Sequence, residues 1–310
     1  MSASPTRRLP IPTPPAAWET ITSYLRRLAK VNHTTVRDLE AAINASPDKH
    51  SYRQTRTLSL DKLSALTGHS AHQLRRALLE LQHPEPQWWL LQAFPRPACP
   101  PCARRHRGGP VHRYYPHHVT ACVKHNLWLG TRAPAATAWP VTDNAIDIQH
   151  LPEITSAQVR HRRLVRRHGQ VAVLIATRAA FESWEYIHGR NLGHAQSTRL
   201  DVLRPGALQY HEEDPAFHAA NYPEIVSAAS VFVRHQWQAQ VTGQATRVHA
   251  YAEFGNCLDW SMPRDTWQPG RRSTLTDWID IYARPHPTNG HGFASAGITI
   301  TGPRPAWTVQ

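Results

Sequence analysis

Two residues separate Cys99 from Cys102, and after nineteen intervening residues Cys122 and His125 repeat that gap. Thiolate and imidazole are donors that zinc favours, and a two-residue gap lets one tight turn aim both side chains at one point. Two such turns complete a tetrahedron with zinc–sulfur distances of roughly 2.3 Å. Three of the chain's four cysteines lie in this short segment. The spacing predicts one structural Zn2+ held by Cys99, Cys102, Cys122 and His125, with a fortuitous pairing of thiols as the alternative. Four protein ligands leave no open coordination position, and that argues against hydrolytic zinc chemistry. In the first turn Pro101 carries no N–H, so one backbone bond to a cysteine sulfur should be lost, although the fixed φ values also pre-order the turn. His106, His112, His117 and His118 lie between the two pairs and can compete as ligands. With 21 histidines in the chain, however, most of these are background. The remaining cysteine, Cys257, reads as a small core residue.

The rest of the composition says what must surround such a site. A chain of 310 residues accommodates two modest domains. Its 41% hydrophobic content and eleven tryptophans supply a buried core. The formal net charge of +13 points to a polyanionic partner, nucleic acid first and an anionic membrane surface second. No apolar run approaches the roughly 20 residues that span a bilayer. The opening MSASPTRRLPIPTPP has basic residues with no apolar stretch behind them, unlike a signal peptide. A cytoplasmic, nucleoid-associated setting is expected, where cysteine pairs serve as metal ligands more readily than as disulfides.

Hydrophobic periodicity predicts a mainly α protein. Residues 1–17 form a flexible or extended arm. A helical lobe over 18–94 starts with WETITSYLRRLAKVN, whose Trp18, Ile21, Leu25 and Leu28 face inward while Arg26, Arg27 and Lys30 face water. Thr34 or Thr35 caps a second helix, TVRDLEAAI. Two short helices then flank Gly68-His69-Ser70. Trp88 and Trp89 introduce a zinc-binding lobe over 95–130, followed by a Pro- and Ala-rich linker over 131–145. A helical domain over 146–284 holds SAQVRHRRLVRRHG, starting after Thr155 or Ser156 and stopping at Gly169. QVAVLIATRAAFESWEYIH and a helix that starts at Pro223 follow. The tail, 285–310, is irregular, with one short strand in GITITGPRPAW.

Taken in order, these features resemble the TniQ (TnsD-related) family of transposon target-selection proteins. The likeness is carried by LPIPTPPAAWETITSYLRRLAKVN, by ACPPCARR followed by ACVKHNLWL, and by LPEITSAQVRHRRLVRRHG. Many members carry a further Cys-Pro-x-Cys pair soon after the Cys-x2-His; here Ala133-Pro134-Ala135-Ala136 stands instead. The resemblance implies a non-enzymatic adaptor that recruits a TnsC-type AAA+ ATPase or a transposition complex to DNA.

Three basic groups are candidates for contact with duplex DNA. The helix after Gly68 presents Gln73, Arg75 and Arg76, residue types that suit base edges and phosphates in a helix-turn-helix. A plain helical hairpin with a solvated basic face is the competing explanation. Arg104, Arg105 and Arg107 follow the first cysteine pair, and Arg160, Arg162, Arg163, Arg166 and Arg167 crowd one helix. Enzyme signatures are missing: no Gly-rich phosphate loop, His-Glu-x-x-His or Gly-x-Ser-x-Gly occurs. Glu212-Glu213-Asp214 is at most a weak metal site. The competing functions are a stand-alone zinc-containing helix-turn-helix transcriptional regulator and, more distantly, a zinc-dependent hydrolase.

Overall fold

A computed structural model describes residues 7–43, 46–47, 56–130, 145–188, 194–206, 214–233 and 307–309. The linker expected at 131–145, apart from its last residue, lies outside these residues. So do Glu212, Glu213, Cys257 and all of the tail except 307–309. The described part is mainly helical, and its contacts divide it into two units. One comprises Met1–His117, Thr142–Ala145 and Thr301–Gln310; the other comprises His118–Val141 and Ile146–Ile300.

In the first unit the first four α-helices each begin on a side-chain oxygen that satisfies an otherwise orphaned N–H. Thr20 caps α1 (Ile21–Val31), accepting from Ser23 N–H at 3.1 Å. Thr35 and Asp38 form a reciprocal capping box on α2 (Val36–Ala42). Ser59 caps α3 (Leu60–Thr67), which ends where Gly68 adopts φ +71°. Ser70 and Gln73 form a second capping box that opens α4 (Ala71–Ala77). Ile21, Leu25 and Leu28 from α1, Leu39, Leu63, and Leu74 with Leu78 close one apolar core. A small sheet completes this part. β1 (Ser46–Pro47) pairs antiparallel with β2 (Arg56–Leu58), and β8 (Trp307–Val309) runs parallel to β2 on its other side. The tail strand therefore exists, beginning where GITITGPRPAW ends. Further along, β3 (Arg96–Pro97) and β4 (His112–Arg113) form an antiparallel pair enclosing the single helical turn α5 (Pro100–Ala103).

Two expectations are corrected in this unit. Trp18 lies outside α1, in the left-handed region at φ 63°. Arg27 does not face water: it is 1% exposed and grips the fully buried Glu19. Of the two readings of the N-terminal arm, the extended one describes it from residue 7, where it is pinned. Leu9 N–H donates to Leu66 O, Thr13 and Ala16 are buried, and Trp18 N–H donates to Ala77 O.

The second unit has a three-stranded antiparallel sheet of β5 (Ala121–Cys122), β6 (Leu127–Trp128) and β7 (Ile146–Asp147). Its helices are α6 (Pro152–His168), α7 (Gln170–His188), α8 (His194–Leu203) and α9 (Pro215–Phe232). α9 packs against the other three and is buried nearly all round. Two helix starts differ from expectation. α6 begins a turn earlier, at Pro152, whose missing N–H costs nothing at a first helical position. α9 begins at Pro215, capped by Asp214, and Pro223 sits inside it. An interior proline costs about 3 kcal/mol, and burial on every side outweighs that here. Beside α9, His161 is buried between the Tyr222 hydroxyl at Nδ1 (2.9 Å) and Thr177 at Nε2 (3.2 Å). Thr177 gives its own proton to Val173 O, so Nε2 donates to it and Nδ1 accepts from Tyr222. Burial, with a smaller push from His118, lowers His161 to about 3, so the ring is neutral in the fold.

Glu80 is the buried carboxyl with the clearest pH signature. It accepts the Ile21 N–H at 2.6 Å and the Tyr114 hydroxyl at 2.8 Å, tying the start of α1 to the residue that follows β4. Burial pushes its pKa up to about 7 against the pull of those two bonds. A carboxyl raised in the fold binds its proton more tightly there than in the unfolded chain. The stabilisation is therefore complete below the ordinary value of 4.5 and lost as pH rises to about 7. A shift of this size is worth on the order of 3 kcal/mol. The unfolding free energy of wild type relative to Glu80→Gln should accordingly fall as pH is raised from 5 to 8. Denaturant titrations of both proteins check this, and parallel pH profiles would contradict it.

Candidate metal centre

The two halves of the ligand set are built by different local devices. Cys99 leaves β3 at the point where Ala98 N–H donates to Val111 O at 2.7 Å, and it immediately starts α5. Ala103 N–H returns to Cys99 O at 2.9 Å, and Arg104 N–H to Pro100 O at 3.1 Å. Residues three apart on a helical turn share a face, which brings Cys99 and Cys102 side by side. Pro100 and Pro101 occupy the first two positions of this turn. Their lack of N–H groups removes no intrahelical bond, and their fixed φ favours the turn, so of the two expected effects of Pro101 the pre-ordering is built into the backbone.

Cys122 and His125 sit on the hairpin between β5 and β6, where Cys122 faces Leu127. His125 N–H donates to Cys122 O at 3.2 Å, and Asn126 then takes φ 49°. Asparagine tolerates this left-handed conformation better than most side chains, and its carbonyl accepts Ile148 N–H at 2.9 Å. Gln158, fully buried on α6, holds the approach to the hairpin. Its Oε1 accepts the N–H groups of Thr120 and Ala121 at 2.8 Å each, and its Nε2 donates to His118 O at 2.7 Å.

The ligating atoms of Cys99, Cys102, Cys122 and His125 all lie within 4.8 Å of one another, with Cys99 buried and the other three half-buried. Cys122 Sγ and His125 Nδ1 are 3.5 Å apart. A tetrahedral zinc with ordinary Zn–S and Zn–N distances would place sulfur and nitrogen about 3.5 Å apart, and two sulfurs about 3.8 Å apart. The donor set and its spacing therefore fit a four-coordinate metal ion. Among the described residues this is the one gathered group of His, Cys, Asp or Glu. The competing histidines His106, His112, His117 and His118 are not part of this group. His117 Nε2 lies 3.2 Å from Trp89 O, and His118 stacks edge-on with His161 at 6.0 Å. The backbone of His112 bonds Ser23 Oγ and Thr20 N–H. His106, lowered by burial and by the charges of Arg27 and Arg105, flanks the loop after α5.

Arg27 fixes that loop. Its Nε and Nη2 make a fork onto Glu19 at 2.7 and 2.6 Å, while Nη1 donates to Arg107 O at 2.7 Å. Gly108 stands against the Arg27 backbone at φ +96°, and a Cβ there would come within 2.5 Å of Arg27 O. Arg104, Arg105 and Arg107 are thus exposed on a loop with a buried anchor. Gln73, Arg75 and Arg76 are exposed on α4, and Arg162, Arg163 and Arg166 on α6. Gln73 has a structural duty as well, since its Oε1 accepts Ser70 N–H at 3.0 Å. α4 has seven residues and is about 10 Å long, a length that a plain hairpin and a DNA reader share.

Arg27, Glu19, Asn126 and Gln158 escaped the sequence reading. Gln158 alone carried a local signal, as a polar residue in step with Ile154 and His161 on the inward face of α6.

Residues 10–129 match the family model described as TniQ, a span that encloses all four ligands. No curated protein and no solved structure matches the chain.

Purified protein should carry one metal ion per chain by elemental analysis. Cys122→Ser should abolish that stoichiometry and lower the melting temperature, as should a strong chelator, because binding free energy at such a site contributes to folding. A metal-free preparation melting at the same temperature would contradict the assignment.

Proposed function

We propose that this chain, whose residues 10–129 match the TniQ family model, belongs to that family and is a non-enzymatic, DNA-associated adaptor that recruits a TnsC-type AAA+ ATPase during transposition. The observation that carries the proposal is the family match itself, which encloses the complete ligand set. A transposition-associated adaptor is what the family suggests; the recruited ATPase is the finer step proposed here.

The ion in this account is a single Zn2+ with a structural role. Cys99, Cys102, Cys122 and His125 would hold it, and it would supply cross-linking of two turns and no reaction chemistry. The chain's own residues do the rest. Arg27 and Glu19 seat the loop bearing Arg104, Arg105 and Arg107, and the capping box of α4 sets out Arg75 and Arg76. These exposed guanidinium groups suit phosphates. Residues 130–310 lie beyond the family match and would serve partner or DNA contacts of their own. No helix among the described residues is long and apolar enough to cross a membrane.

A native pull-down from the cell of origin separates an adaptor from a stand-alone transcriptional regulator. Recovery of an AAA+ ATPase or a transposase together with the chain is the expected result. Recovery of neither, with strong sequence preference for one duplex in a randomised-DNA selection, would favour the regulator and overturn the adaptor.

A further inference from the structure

We infer that the outer face of α6 is a docking surface for the phosphate backbone of duplex DNA, lying in the part of the chain outside the family match; this deepens the DNA association proposed above and rests on it. Arg162, Arg163, Arg166 and Arg167 are all exposed. At about 100° per residue they cover an arc of about 140°. Ile154, Ala157, Gln158 and His161, buried on the same helix, occupy the opposite side. The helix is therefore two-sided: one side enters the core with Trp128, Tyr222 and Val226, and the other carries four guanidinium groups.

Local explanations account for only some of this charge. The helix has one carboxylate, Glu153, in its first turn, and that group lies 4.0 Å from the Arg199 guanidinium. Among the described residues no ion pair involves Arg162, Arg163, Arg166 or Arg167. Arg160 is set apart because it donates to Ser227 Oγ at 2.9 Å. Cations in a last turn complement the helix dipole, which suffices for Arg166, Arg167 and His168. The effect fades beyond one turn and gives no reason for Arg162 and Arg163.

Phosphate supplies that reason. From Arg162 to Arg167 the face runs about 8 Å along the helix, room for two to three phosphates of one strand. Guanidinium is also the cation that meets phosphate oxygens two at a time. An anionic membrane would be met differently, by a helix whose apolar side enters the lipid. The apolar side of α6 is already buried in its own unit, so the observations favour DNA.

The test uses the full chain, a duplex of arbitrary sequence, and fluorescence anisotropy between about 50 and 200 mM salt. Each phosphate contact contributes about 0.9 to the slope of log K against log salt. The combined Arg162→Gln, Arg163→Gln, Arg166→Gln variant should flatten that slope by about 2 to 3 and bind at least about tenfold more weakly at low salt, with an unchanged melting temperature. The matching Arg→Lys variant should restore both. An unchanged slope in the Gln variant, with wild type binding, overturns this inference and leaves the proposed function standing. Equal loss in the Gln and Lys variants overturns it as well, since charge would not be the cause. So does loss of binding to anionic phosphatidylserine vesicles with DNA binding retained. Wild type that fails to bind DNA at low salt overturns both proposals.

Discussion

The buried pair of Arg27 and Glu19 is the interaction on which the N-terminal unit turns. Both side chains are withdrawn from water, at 1% and 0% exposure. Ionised groups held so deep are tolerated only when their hydrogen-bonding capacity is met, and here it is. Arg27 adds Pro14 O and Arg107 O to its fork on Glu19, while Glu19 accepts from Ala16 N–H and Ser23 Oγ. Ser23 Oγ in turn accepts His112 N–H at 2.9 Å. Two regions distant in sequence converge on one ion pair: the N-terminal strap with α1, and the loop after α5 with β4. Removing one partner of such a pair costs about 3–5 kcal/mol, because the other is stranded.

That frame bears on the ligand set through Arg107. The loop it anchors begins where α5 ends, directly after Cys102, so the first cysteine turn emerges from chain already fixed on both sides. β3 and β4 hold its start and Arg27 holds its exit. The second ligand pair has an equivalent support in Gln158, which occupies the backbone just ahead of Cys122. Both turns are thus preset by protein contacts before any ion is considered, and the 3.5 Å approach of Cys122 Sγ to His125 Nδ1 follows from them.

Features governed by local chemistry were legible in the sequence. Two-residue ligand gaps, the cap at Thr34 or Thr35, the turn at Gly68 and the stop at Gly169 each depend on neighbours a few positions away. Arg27 was misread because helical periodicity puts it at the margin of the Leu25–Leu28 face, where arginine ordinarily reaches water. Its partner lies outside the helix, eight positions earlier, and other anchors come from residue 107. Only the tertiary fold reveals such a site. Pro223 misled in the opposite sense: proline usually opens a helix, yet α9 is packed on so many sides that it runs through. The Asp214-Pro215 pair was a readable cap and first-position signal for the true start.

The central claim is that Cys99, Cys102, Cys122 and His125 form one closed zinc site. X-ray absorption at the zinc edge of the purified protein tests it most directly. The predicted shell has three sulfurs at roughly 2.3 Å and one nitrogen at roughly 2.0 Å, with no oxygen ligand. A shell with fewer than three sulfurs, or one containing a water oxygen, would contradict it.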